Sequence, residues 1–136
     1  MKILVADDDK MILKVVSDVL TEAGYEVIFA HDGPDTIKKA NAFGPDLIIL
    51  DIVLPGSLGT EVCENLRKSS QTTAIPVLLI SSSVAETSGG GFPDHFQADD
   101  YLRKPLEPDD LLRKVKHLAG RKSRYAVRES APASTK

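Results

Sequence analysis

The stretch ILVADDDK, residues 3–10, runs four apolar side chains straight into three carboxylates. Successive apolar residues suit a strand covered on both faces, since a strand with one wet face would alternate. Three adjacent carboxylates raise one another's pKa and cost free energy unless a cation sits among them. The rest of the chain has to supply both the covering layers and the cation.

Three further runs have the same character: EVIFA (26–30), DLIIL (46–50) and PVLLI (76–80). A fifth, DYLRK (100–104), is more polar and suits a sheet edge. Helical patterns lie between them. In KMILKVVSDVLTEAG the residues Ile12, Val15, Val16, Val19, Leu20 and Ala23 are expected on one buried face, with Gly24 as the stop. GPDTIKKANAFG has Pro34 in a first turn and Gly44 past the end. TEVCENLRKSS turns Val62 and Leu66 inward. EPDDLLRKVKHLAG carries acids at its start and Lys and His toward its end, which suits the helix dipole, and it stops at Gly120. The order is βα repeated five times, which predicts an α/β fold with a parallel sheet, helices on both faces and right-handed crossovers. The fourth helix is the weak unit. Gly89, Gly90, Gly91 and Pro93 are each costly inside a helix, so a shortened, shifted or mobile element is expected there.

The 136 residues suit one domain with its own core. Residues 1–120 carry 12 Lys and Arg against 19 Asp and Glu, a net −7, while residues 121–136 carry 5 against 1, a net +4. An acidic body argues against direct nucleic-acid binding. No apolar run is long enough to cross a bilayer, and the N-terminus lacks the pattern of a signal peptide, so the cytoplasm is the expected compartment. The folded domain is expected to span 1–120, with 121–136 a disordered tail or truncated linker. A single cysteine, Cys63, excludes an internal disulfide and a cysteine metal site, and reads as a small core residue. His31, His95 and His117 have no ligand spacing and read as surface residues.

In an open parallel sheet, ligands bind beyond the carboxyl ends of the strands. That rule gathers Asp7 and Asp8 after strand one, Asp51 after strand three, Ser81 after strand four and Lys104 after strand five. With strands ordered 2-1-3-4-5, strands one and three are neighbours and their carboxylates lie together. A small carboxylate site with open positions suits Mg²⁺, a hard cation that keeps several waters and accepts a phosphate oxygen. Lys104 pairs with a carboxylate or a phosphoryl oxygen, and the Ser81 hydroxyl can donate to the same group.

The segments VADDD, LDIVLPGSLG, LLISSS and YLRKP, in this order and at these distances, resemble the receiver domain of bacterial two-component response regulators. Each motif alone is common; their joint occurrence at successive strand ends is specific, and the resemblance covers about Lys2 to Gly120. It implies a doubly wound (βα)5, flavodoxin-like sandwich. It also implies that Asp51 is the phosphoacceptor for a sensor histidine kinase or a histidine phosphotransfer protein, and that a downstream protein target reads the result. By the same resemblance Asp8 ligates Mg²⁺ directly, Asp7 acts through metal-bound water, and Val53 offers its backbone carbonyl. Ser81 and Lys104 meet the phosphoryl group, and Tyr101 is an aromatic switch. The Lys104–Pro105 peptide is expected to be cis, aiming the lysine. Asp9 has the position of a helix cap.

Three departures stand out. Leu58 occupies a position where the family often has Asp. Ser81 replaces the commoner Thr but keeps the hydroxyl. The glycines of the fourth helix put dimerisation through the usual output face in doubt. Two rivals are weaker. A phosphorylation-independent binding module would lack an Asp, the Lys or the hydroxyl, and all are present. An aspartyl phosphatase needs a second Asp two residues after the nucleophile, where this chain has Val53. The chain is therefore expected to be a signalling phosphoacceptor rather than an enzyme.

Overall fold

A computed structural model describes residues 1–81 and 96–127. The elements are β1 (Lys2–Ala6), α1 (Lys10–Glu22), β2 (Glu26–Ala30), α2 (Gly33–Phe43), β3 (Leu47–Asp51), β4 (Val53–Leu54), β5 (Ser57–Leu58), α3 (Gly59–Lys68), β6 (Val77–Ser81), β7 (Asp100–Arg103) and α4 (Pro108–Leu118). Five strands form one parallel sheet in the order β2-β1-β3-β6-β7, the doubly wound arrangement expected, with β7 at an edge. The expected weak fourth helix falls in 82–95, outside the described residues.

Each central strand divides its side chains between two cores. Leu4, Ala6, Ile48, Leu50 and Leu79 pack with Ala40 of α2 and Val62, Cys63 and Leu66 of α3. Ile3, Val5, Ile49, Leu78 and Ile80 face the other way, against Leu13, Val16 and Leu20 of α1 and Leu111, Val115 and Leu118 of α4. Alternation therefore persists, but both faces are apolar because helices cover both. Fully burying one such leucine or isoleucine is worth about 1.5–3 kcal/mol.

The helix ends follow the sequence. Asp9 caps α1, its Oδ1 accepting from Met11 N at 2.9 Å. Asp32 caps α2 ahead of Pro34, and Gly44 closes that helix at φ 56°, a left-handed backbone that glycine adopts without a Cβ clash. α4 has Asp109 and Asp110 in its first turn and Lys116 and His117 in its last.

Four expectations need correction. The buried face of α1 centres on Leu13, Val16 and Leu20; Val15 is 40% exposed and Ala23 lies outside the contact. The helix sits flat on the sheet through a narrow stripe, so the outer members of the apolar run face solvent. Strands three and four start one residue later than expected, since Asp46 pairs with Lys2 at the entrance and Pro76 has no N–H to place in the ladder. Strand five stops at Arg103, ahead of Lys104 and its cis peptide bond to Pro105. The body also does not end at Gly120. Ser123 is buried and its hydroxyl donates to Asp99 Oδ2 at 2.9 Å; Arg124 N donates to Asp99 Oδ1 at 3.0 Å; Val127 N donates to Thr73 Oγ1 at 2.7 Å. Residues 121–127 are thus fastened to the sheet end by polar groups, which an apolar-periodicity reading passes over.

Candidate functional site

All five strand tips end on the same edge of the sheet. Parallel pairing sets Ala6 beside Leu50 and Asp51 beside Ile80, so the residues that follow meet above the carboxyl ends of β1, β3 and β6. Asp7, Asp8 and Asp51 each bring a carboxylate oxygen within 4.8 Å of the others. Asp7 is fully buried and Asp51 is 6% exposed, while Asp8 faces solvent.

Lys104 reaches into this group from the loop after β7. Its Nζ donates to Asp51 Oδ2 at 2.9 Å and lies 3.1 Å from Asp7 Oδ2. Its backbone is held as well, Lys104 N donating to the carbonyl of Ser81 at 2.8 Å. The other oxygen of Asp51, Oδ1, accepts from Val53 N at 3.1 Å. Asp7 Oδ1 accepts from Asp9 N at 2.9 Å. The two N–H groups orient the carboxylates, and the ammonium draws their remaining oxygens together.

The electrostatics are unbalanced. Three carboxylates face one ammonium. Burial pushes the Asp7 carboxyl above its ordinary pKa and the Asp51 charge adds to this, against the Asp9 N–H and the Lys104 charge. Burial pulls the Lys104 ammonium down, but the hydrogen bond and charge of Asp51, with those of Asp7, outweigh it and leave Lys104 above its usual value. Asp7 Oδ2 is buried and accepts no hydrogen bond, the ammonium being near enough for attraction but poorly aligned. A buried, unbonded carboxylate oxygen in a cluster with excess negative charge fits a small divalent cation with oxygen preference.

Ser81 is buried at the tip of β6. Tyr101 is half-buried on β7, opposite Leu79, and packs against the core under α3. Val53 is exposed at the start of a two-residue antiparallel hairpin, β4–β5, turned by Pro55 and by Gly56 at φ 73°. Cys63 is fully buried and donates to the Gln97 carbonyl at 3.0 Å; burial pushes its thiol up to about 11, as a structural cysteine requires. His31 and His117 are exposed; His95 lies outside the described residues.

The sequence reading missed a second polar centre, at the opposite end of the sheet. Arg67 is 2% exposed and its guanidinium donates to the carbonyls of Thr73, Ile75 and Gln97 and to Asp99 Oδ2. One signal was present: position 67 falls on the buried stripe of α3 marked by Gly59, Val62, Cys63 and Leu66.

A doubly wound parallel sheet with an acidic cluster and a lysine at its carboxyl edge defines a flavodoxin-like module whose carboxylates could hold a small cation. Comparison with known proteins makes this particular. The response regulator receiver domain family matches residues 3–116, and the chain belongs to it. The chain is 38% identical over 120 residues to the alkaline phosphatase synthesis transcriptional regulatory protein PhoP of Bacillus subtilis, covering 88% of this chain and 49% of that protein. It is 34% identical to the phosphate regulon transcriptional regulatory protein PhoB of Escherichia coli, covering 94% and 56%. The chain thus spans about half the length of the curated relatives it matches. Among solved structures, the chemotaxis response regulator CheY4 of Vibrio cholerae superposes with a TM-score of 0.76 at 31% identity, covering 86% of this chain and 97% of that one. The response regulator TrrA of Thermotoga maritima, solved in complex with Mg²⁺ and BeF, gives 0.75 at 34% identity, covering 86% and 97%. Receiver domains of this family are signalling phosphoacceptors. Among the described residues, no helix is long and apolar enough to cross a membrane.

Proposed function

We propose that Asp51 accepts a phosphoryl group from a phosphohistidine on a sensor kinase or a histidine phosphotransfer protein. The observation that carries this is the Lys104 ammonium between Asp51 Oδ2 and Asp7 Oδ2, with Asp8 completing the acidic group. Family membership and the relatives' receiver halves support it.

Asp51 Oδ2 is the nucleophile. It attacks phosphorus in line with the donor, the P–N bond breaks, and the imidazole leaves with the electron pair. An acyl phosphate results. Lys104, already 2.9 Å from the attacking oxygen, stays to offset charge on the phosphoryl oxygens. Val53 N holds Oδ1, so the carboxylate presents Oδ2 and does not rotate. The chemistry needs alignment and charge compensation more than proton transfer, and these groups supply both.

Asp8 and Asp51 would hold Mg²⁺, with the Val53 carbonyl, and Asp7 would act through metal-bound water. When bound, the cation supplies further charge neutralisation at the phosphoryl oxygens. The Ser81 hydroxyl donates to the attached group, and Tyr101 reports its movement by turning inward. A phosphoryl group adds about −1.5 to −2 charge at one point, enough to bias a packed surface toward a downstream protein partner.

Incubation with acetyl phosphate or phosphorylated kinase, followed by intact-protein mass spectrometry, tests the proposal. Wild type should gain one phosphoryl group and Asp51→Asn none. Equal labelling of both would place the acceptor elsewhere. The phosphorylation-independent rival would lack the acid, the lysine or the hydroxyl, and the sequence has all three, in Asp51, Lys104 and Ser81.

A further inference from the structure

The hairpin that follows Asp51 is gripped from two sides by glycines. Gly33 is the first residue of α2, and a Cβ there would stand 2.5 Å from Ser57 Oγ, 2.8 Å from Ser57 Cβ and 3.1 Å from Val62 Cγ2. Gly59 opens α3, and a Cβ there would collide with the Asp51 carbonyl oxygen and come within 2.9 Å of Ile52 Cα. Gly59 N also donates to the Ile52 carbonyl at 2.5 Å. Neither approach leaves room for a side chain.

The Gly33 contact has a path to the acidic site. Ser57 pairs with Leu54 across the hairpin, and Val53 pairs with Leu58. Leu54 is buried, so the hairpin pivots on an anchored residue. Val53 in turn donates its N–H to Asp51 Oδ1. The helix α2 is itself seated on the body: Lys39 Nζ donates to the Phe29 carbonyl at 2.7 Å, and Thr36 and Ala40 are buried. A displacement of Ser57 is therefore taken up by the two-residue hairpin and not by the helix.

We infer that Gly33 and Ser57 are positioning residues: the amino end of α2 acts as a strut that sets the β4–β5 hairpin, and through it Val53, against Asp51. Gly59 clamps the same loop from the α3 side. The consequence for Mg²⁺ rests on the reading given above, in which the Val53 carbonyl faces the cation. The consequence for the Val53 amide does not depend on it.

The test is a bump and its relief. Gly33→Ala pushes on Ser57, and Ser57→Gly removes the two closest atoms it meets, leaving only the looser approach to Val62 Cγ2 at 3.1 Å. In metal-free protein, amide hydrogen exchange by NMR should show Val53 exchanging about tenfold faster in Gly33→Ala, the loss expected for a hydrogen bond to a carboxylate. Leu4, in β1 and paired on both sides, should be unchanged. The double variant Gly33→Ala/Ser57→Gly should return Val53 to within about twofold of wild type, since the paired change leaves little coupling unrelieved. If Gly33→Ala does not fold, Ser57→Val presses the same contact from the hairpin side and should have the same local effect. An unchanged Val53 in the bumped variant, or a rise in Val53 and Leu4 together, overturns the strut. Mg²⁺ titration followed by the same spectra separates the two claims. Wild-type shifts near Asp51 with about tenfold weaker affinity in Gly33→Ala support both. A wild type that does not respond to Mg²⁺ removes the metal reading, and the exchange comparison then judges the strut alone.

Discussion

Arg67 on α3 and Asp99 ahead of β7 form an ion pair at 2% and 6% exposure, 3.2 Å apart, at the end of the sheet away from the acidic cluster. Asp99 also accepts from Val77 N, Ser123 Oγ and Arg124 N, and Arg67 ties down three carbonyls. One pair of side chains thus joins α3, the entrances of β6 and β7, and the segment after α4. It holds the fold while the other end of the sheet holds the chemistry.

Arg67→Ala should therefore destabilise the protein by about 3–5 kcal/mol, because it leaves a buried carboxylate without its cation. Urea unfolding followed by circular dichroism reads the effect. A loss below 1 kcal/mol, the range of a surface pair, would contradict the network.

Ser123→Ala removes the one hydroxyl proton that Asp99 Oδ1 and Oδ2 share in seating the C-terminal segment. It should cost about 1–2 kcal/mol and speed amide exchange at Arg124 and Val127 before any strand residue responds. Unchanged exchange at both amides would show that the segment is held by something else.

Asp7→Asn should stabilise the metal-free protein at neutral pH. Its carboxyl is raised above the ordinary value, so the folded state resists the ionised form. That penalty is present in full above the folded pKa and fades as pH falls through it, so the advantage of Asn should shrink on acidification. In Mg²⁺ at 100 times Kd, wild type should gain about 2.7 kcal/mol, and the variant much less. Thermal melts with and without Mg²⁺ between pH 4 and 8 decide it.

Lys104→Met removes the ammonium that competes with a cation for Asp7 and Asp51. Mg²⁺ affinity should rise, since the carboxylates lose their other partner. Phosphorylation should slow by about 10²-fold, because charge at the phosphoryl oxygens loses a fixed donor. Titration and single-turnover labelling should move in opposite directions; parallel losses would point to a purely structural lysine.

Cys63 gives a cleaner pH test. Its thiol stands at about 11 when folded against an ordinary 9.0, so stability attached to the neutral thiol is present below pH 9 and is lost as pH rises toward 11. The stability gap between wild type and Cys63→Ala should close by about 2 kcal/mol over that window. Native thiol labelling at pH 8 should follow the rate of opening, not the reagent concentration.

The chain order of apolar runs and helical stripes was enough to predict a five-stranded parallel α/β sheet, because strands buried on both faces read as short apolar runs and the helical stripes between them call for crossovers. The strand-end rule then gathered Asp7, Asp8, Asp51, Ser81 and Lys104, since each directly follows or ends such a run. The cap at Asp9 and the stops at Gly24, Gly44 and Gly120 were equally local. The tertiary structure alone decided what depends on approach rather than on type: that Arg67 turns inward to Asp99, that residues 121–127 return to the sheet, that α1 buries Leu13 and not Val15, and that Gly33 and Gly59 leave space for the hairpin beside Asp51. A hydrogen bond or a missing Cβ constrains partners far apart in the chain, and a pattern of hydrophobicity carries no record of which distant groups come within 3 Å.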